Sequence, residues 1–269
     1  MPNYKAIADE TVKILNNGEF IADLRRITLD MDKLKKVVCY SDKQLIQVEN
    51  RQNFNTEFKV YERDTVSAVF ACPLPEKCAV LNFASAKHPG GGFITGANAQ
   101  EESLCRSSSL YASIGSKDAE DMYIYNTTIN KSRFYSDYML FSPNVAFFRR
   151  FNGSLTSKYA VVSVITAPAV NCRIADPINN SDKIRSIMQA RIRKIFDIAI
   201  LNNKTYLILG AWGCGVFGHK TEDIANDFRI VLSEEKYKNA FEVVEFSVLC
   251  GRNASDILPF RKTFDKAKI

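Results

Sequence analysis

From Tyr159 to Leu249 the chain reads YAVVSVIT (159–166), SDKIRSIMQARIRKIFDIAI (181–200), YLILGAWGCGVFGHKTEDIANDF (206–228) and FEVVEFSVL (241–249), with short connections between. The first, third and last of these segments open as apolar runs, the pattern of strands covered on both faces. Ser181 is an expected N-cap. After it Ile184, Ile187, Met188, Ile192, Ile195, Phe196, Ala199 and Ile200 fall on one helical stripe, which Asn202 and Asn203 end. A second helix follows His219, with Ile224, Ala225, Phe228 and Val231 on one side. Strand, helix, strand, helix, strand is the order of an α/β fold with helices on both faces of its sheet.

Working outward, CAVLNF (78–83) and YMLF (138–141) are further strands, and weaker alternation marks 37–41 and 57–61. An opening helix is expected over 4–16, stopped by Asn16, Asn17 and Gly18. No repeat or low-complexity linker interrupts the chain. The expectation is one domain over 1–269, with about 1–60 an N-terminal helical elaboration and about 61–269 the core. A chain of 269 residues can bury a sizeable core without cross-links. With 46% hydrophobic and 25% charged residues, it is neither disordered nor collagenous.

Several function classes drop out. The longest apolar run, Tyr159–Val170, falls short of the ~20 residues of a membrane span. MPNYKAIADE lacks the apolar core of a secretion signal, so a cytoplasmic protein is expected, with no membrane contact. A net charge of +6 suits an anionic ligand but is too mild to indicate nucleic-acid binding by itself. The seven Cys are odd in number and form no CxxC, and the chain has only 2 His. Neither a disulfide framework nor a zinc site is indicated, and no metal or cofactor is expected. A Ser–His–Asp or Cys–His centre would have to use His88 or His219.

Two loops carry the chemistry. In LNFASAKHPGGGFITGANAQEESLCRSSSLY (81–111), Gly90, Gly91 and Gly92 follow a strand end, where glycine lets backbone N–H groups approach a ligand. Seven residues later Gln100, Glu101 and Glu102 open a helix, a place where the helix dipole favours acidic residues anyway. These residues fit a structural turn with a helix start, or a carboxylate pair beside a glycine-lined cleft. In the second loop Gly213, Gly215 and Gly218 satisfy GxGxxG, and Gly218 to Thr221 approach a phosphate-binding P-loop. Both near-matches have one physical content, an anion site of backbone amides and a helix N-terminus. The other reading is a glycine turn. A dehydrogenase is disfavoured, because the loop comes late in the chain and Glu234 and Glu235 precede the next strand instead of ending it. Ligands of such folds sit at the carboxyl ends of strands. Amides for phosphate on one loop and carboxylates on the other suit a sugar nucleotide with a glycosidic bond to break. Lesser candidates are His88 as a ligand contact or turn residue, Cys214 as an acidified thiol or turn filler, Tyr111 as core, and Asn171 at a third strand end.

GGG, seven residues and QEE resemble the signature of poly(ADP-ribose) glycohydrolases. ETVKILNNGEF (10–20), YSDYMLFSPNVAFFR (135–149), VITAPAVN (164–171) and LGAWGCGVFG (209–218) are similar to the bacterial, macrodomain-type branch of that family. The resemblance implies a macrodomain-like three-layer α/β/α mixed sheet with an N-terminal helical extension. It implies hydrolysis of the ribose–ribose O-glycosidic bonds of poly(ADP-ribose), carried on modified proteins or nucleic acid, by a monomer that releases ADP-ribose. Glu102 would be the catalytic acid and Glu101 would hold a ribose hydroxyl. Gly90, Gly91 and Gly92, with Gln100 beside them, would line the distal ribose and diphosphate. Gly213, Cys214, Gly215, Val216, Phe217 and Gly218 would form the diphosphate loop, Phe217 packing on the distal ribose. His219 stands where the family more often carries Asn. Alternatives are a hydrolase of single ADP-ribose groups on protein or nucleic acid, and a module that binds ADP-ribose without cleaving it. Adjacent helical residues point ~100° apart, so Glu101 and Glu102 cannot flank one bond as a glycosidase pair does. One carboxylate must then carry the proton, and at a helix N-terminus that requires its desolvation once substrate binds.

Overall fold

Along CAVLNF the side chains part to two sides, as the period of two in a strand requires. In the computed structural model, which describes residues 3–265 apart from 43, 51 and 251–253, Cys78 and Val80 enter one apolar cluster while Ala79 and Leu81 enter another. All four are buried, so the run is apolar throughout because both faces are covered.

The strands are β1 (Glu19–Ala22), β2 (Arg25–Thr28), β3 (Val38–Tyr40), β4 (Glu57–Tyr61), β5 (Cys78–Phe83), β6 (Met139–Arg149), β7 (Leu155–Ala167), β8 (Tyr206–Leu209) and β9 (Val243–Ser247). Seven of them form one sheet in the order β3-β6-β7-β5-β8-β9-β4. The β7, β5, β8, β9 and β4 strands run parallel, and β6 pairs antiparallel with both β7 and β3, so the sheet is mixed. Helices Pro177–Leu201, Thr221–Leu232 and Leu258–Phe264 cover the face of Leu81 and Leu207. Helices Tyr4–Asn17, Thr65–Ala71, Gln100–Ser107, Leu110–Ile114 and Glu120–Ile124 cover the face of Val80 and Ile208. The result is the expected three-layer α/β/α arrangement. No helix among the described residues is long and apolar enough to cross a membrane.

The opening helix ends as its punctuation predicts. Gly18 takes the left-handed conformation at φ +69°, and its N–H donates to Ile14 O. Three features differ from the sequence reading. β1 and β2 form a separate hairpin whose two-residue turn is Asp23–Leu24, both at positive φ. Such turns normally advertise themselves with Asn-Gly or Asp-Gly, and this one is held instead by Asp23 Oδ2, which accepts from Ser157 N and Oγ, each at 2.8 Å. Ser181 does not cap the long helix, which starts at Pro177 and breaks at Asn180, whose Nδ2 donates to Ala175 O and Asp176 O. Finally, β3 and β4, the second of which ends at Tyr61, come early in the chain yet form the two edges of the main sheet.

Because β5, β7, β8 and β9 are parallel, the segments after Phe83, Ala167, Leu209 and Ser247 gather at one edge of the sheet. Both glycine loops are among them.

Candidate active site

The QEE triplet opens helix Gln100–Ser107, and each of its side chains takes hold of a different backbone segment. Gln100 Oε1 accepts from Phe83 N at 2.9 Å and its Nε2 donates to Leu81 O at 2.8 Å, which pins the helix start to the end of β5. Glu101 is 3% exposed; its Oε2 accepts from Ser85 N at 2.7 Å and its Oε1 from Asn82 Nδ2 at 3.2 Å. Glu102, 8% exposed, accepts from Gly92 N at 2.9 Å and from Ala99 N at 3.0 Å. The second bond is the reciprocal half of a capping box, supplied where Ala99 has no side-chain acceptor of its own. Glu102 is thus largely shielded from solvent. Gly91 stands between both carboxylates at φ +57°, where a Cβ would run into Glu102 Oε1 and come within 3.2 Å of Glu101 Oε2.

Burial pushes the Glu101 carboxyl up to about 8, against hydrogen bonds from Ser85, Asn82 and Gly90 that pull the other way. An unfolded glutamate titrates near ~4.3. Across the interval between, the folded chain keeps a proton that the unfolded chain has lost, so stability falls as pH rises from about 5 to about 8. Glu101→Gln should flatten that slope, seen as a smaller drop in Tm between those two pH values. An unchanged slope means that Glu101 is ionised throughout.

The second loop is tied down at its ends and open in its middle. Trp212 is fully buried and donates from Nε1 to Ala167 O at 3.1 Å, fastening the loop to β7. His219 N donates to Gly213 O at 3.1 Å, and the His219 Nε2 stands 2.6 Å from Val170 O. Arg173 Nε donates to Val216 O at 2.6 Å. Between these ties, the N–H groups of Gly213, Gly215, Val216 and Phe217 have no acceptor among the described residues. Helix Thr221–Leu232 starts just beyond, so the loop has the makings of an anion cradle.

A cleft of about 850 Å³ separates the two loops. Ala99, Gln100 and Ser103 wall one side, Gly213, Cys214, Gly215, Val216 and Phe217 the other, and Phe83 and Trp212 contribute from the strand ends. Of the predicted residues, Glu101, Glu102, Gly90, Gly91, Gly92 and Gly218 do not line it. Glu102 reaches the cleft wall through Ala99, whose N–H it holds. The Cys214 thiol is not acidified, because burial pushes it above the usual range. His88 is an exposed turn residue whose N–H donates to Ser85 Oγ. Tyr111 packs with its ring 5.0 Å from that of Phe93. Asn171 caps the short helix Cys172–Ala175 through Arg173 N and does not line the cleft. Arg63 also lines the cleft and pairs at 2.7 Å with the fully buried Glu245. It follows an edge strand, and only the pairing of β4 with β9 brings it here. No group of three or more His, Cys, Asp or Glu among the described residues could hold a metal ion.

Residues 8–150 match the family described as microbial-type PARG, catalytic domain. The chain is similar over 97% of its length to poly(ADP-ribose) glycohydrolase from Thermomonospora curvata bound to the inhibitor ADP-HPD, with 32% identity, 99% of that chain covered and a TM-score of 0.88. It is likewise similar to poly(ADP-ribose) glycohydrolase from Deinococcus radiodurans in complex with ADP-ribose, with 34% identity, 90% of this chain and 100% of that chain covered, and a TM-score of 0.81. None of the curated proteins matches the chain.

Proposed function

The chain belongs to the family of microbial-type poly(ADP-ribose) glycohydrolases, and from that premise we propose that Glu102 alone moves the proton in the reaction it catalyses. That reaction is hydrolysis of the ribose–ribose O-glycosidic bonds of poly(ADP-ribose), with release of ADP-ribose. The observation that carries the assignment is the carboxylate of Glu102, buried and fixed by Gly92 N and Ala99 N between the glycine turn and the cleft wall. Glu102 protonates the departing ribose 2′-oxygen as an oxocarbenium-like ribose develops, then takes a proton from the attacking water. Glu101, bonded to Ser85 N and Asn82 Nδ2, holds the turn that carries Gly90, Gly91 and Gly92 in place of the ribose hydroxyl expected of it. The diphosphate lies on the N–H groups of Gly213, Gly215, Val216 and Phe217, and its fixed bend positions the water. The cleft is assembled within one chain, which fits a monomer acting on polymer carried by protein or nucleic acid. Seven free cysteines fit the reducing cytoplasm. The test is to incubate the protein with poly(ADP-ribose), mono-ADP-ribosylated protein and mono-ADP-ribosylated DNA, and to identify the products. Free ADP-ribose from the polymer is the expected result; release from the mono-modified substrates alone would overturn it.

Gly215→Val separates ligand binding from folding. Nothing lies within 4 Å of a Cβ built at Gly215, and its φ is not positive, so the substitution leaves the fold intact. It does place a branched side chain where the backbone must approach a phosphate. The variant should melt like wild type and bind ADP-ribose at least about tenfold more weakly, ~1.4 kcal/mol by calorimetry. Wild-type affinity in the folded variant would remove this loop from the diphosphate site.

A further inference from the structure

One tyrosine meets both glycine loops. Tyr135 is half-buried, and its ring centroid lies 6.2 Å from that of Phe217 in the second loop. Lys87, in the turn that leads to Gly90, places its Nζ 5.9 Å from the centre of the same ring. The backbone that carries this ring is strained. Tyr135 lies at φ +62°, the one aromatic residue at positive φ among the described residues, where a bulky side chain crowds the main chain. Such a conformation persists only where its surroundings dictate it. They do so on both sides. Arg191, buried in helix Pro177–Leu201, donates from Nη2 to Phe134 O at 2.8 Å and from Nε to Asp137 Oδ1 at 2.7 Å. Its Nη1 donates to Pro168 O at 3.1 Å, which ties the segment to the end of β7. Ser136 N donates to Asn126 Oδ1 at 2.9 Å, and Asp137 N to Asp42 Oδ1 at 2.6 Å. The clamped backbone fixes the direction of the Tyr135 Cα–Cβ bond and so of its ring.

Phe217 needs such a support. It lines the cleft, yet its neighbours Val216 and Gly218 are exposed. Its main chain is held through Phe217 O, which accepts from Cys172 N at 2.9 Å. We propose that Tyr135 is a positioning residue of the reaction: its ring seats Phe217 against the distal ribose and keeps the second loop at a set distance from the turn of Gly90, Gly91 and Gly92. The proposal rests on the reading of the cleft given above, with the diphosphate on the second loop and Phe217 packed on that ribose. Tyr135 does not itself line the cleft, so it acts through Phe217. The backbone N–H groups that meet the diphosphate are untouched by loss of the ring. What suffers is the alignment of the ribose with Glu102, and the loss falls on turnover more than on binding.

The experiment removes the ring in two ways. Tyr135→Ala keeps the strain, whereas Tyr135→Gly relieves it, because glycine adopts positive φ freely. The glycine variant should therefore melt no lower than the alanine variant. Both should lose kcat on poly(ADP-ribose) to the same extent, about tenfold, with KM changed by less than about threefold. Tyr135→Phe keeps the ring and should recover most of the turnover. Once Phe217→Ala has lowered turnover, adding Tyr135→Gly should cost little more, because the two residues act as one unit. A kcat near wild type in both ring-deletion variants overturns the proposal, as does a rise in KM at constant kcat. So do additive losses in the double variant, or a Tyr135→Phe protein as slow as Tyr135→Ala. A rate loss that follows Tm, larger for alanine than for glycine, makes the role structural and overturns it too. Failure of the underlying reading looks different: Phe217→Ala alone would turn over polymer like wild type, or wild type would not cleave it.

Discussion

Glu102→Gln should lower turnover on poly(ADP-ribose) by about 10²–10⁴-fold, the usual worth of general acid–base catalysis. The substitution removes the only group proposed to deliver and retrieve the proton. It also has a structural cost, because both oxygens of Glu102 accept backbone N–H bonds, from Gly92 and from Ala99. An amide offers one acceptor and one donor, so one of these N–H groups faces an NH₂ and loses its bond, at ~1 kcal/mol. A modest drop in Tm should therefore accompany the loss of activity. ADP-ribose affinity should change by less than about tenfold, ~1.4 kcal/mol. Glu101→Gln is the control. Burial holds Glu101 protonated up to about 8, and the amide mimics that neutral form. Its turnover should fall far less, with the larger effect on binding through the 85–90 turn. Near-wild-type hydrolysis by a folded Glu102→Gln protein would end the assignment.

What was legible in the sequence follows from burial. CAVLNF is read correctly because both faces of β5 are covered, and the opening helix because Gly18 supplies the left-handed stop. Edges carry weaker signals. β3 and β4 each have one neighbour and mixed exposure, so alternation hints at them without showing that they close the sheet on opposite sides. The β1–β2 hairpin is hidden because Asp23 and Leu24 adopt positive φ without a glycine. At the site, the glycine loops and QEE stand out by composition. That Gln100, Glu101 and Glu102 grip three separate backbone segments does not, since spacing along a helix says nothing about loops that fold back onto it. Arg63 reaches the cleft through pairing of distant strands, and local pattern carries none of that.

Gly91→Ala tests whether the placement of the carboxylates, and not merely their presence, sustains the reaction. At φ +57° any side chain is strained, at ~1–2 kcal/mol. The added Cβ would also press on Glu102 Oε1, so the carboxylate must leave Gly92 N or the turn must open. Glu101, 3.2 Å from the same position, has little room to absorb the shift. Moving a catalytic group by about an ångström costs about 10²-fold in rate. Turnover should fall by that order while the protein still folds, because the contact is with side-chain oxygens at the edge of the core. The diphosphate loop lies on other residues, so affinity for ADP-ribose should suffer less than turnover. Gly215→Ala supplies the contrast in folding alone: another glycine of the site, in open space, should keep its melting temperature. If folded Gly91→Ala turns over polymer like wild type, the glycine turn does not aim Glu102, and the proton must come from elsewhere in the cleft.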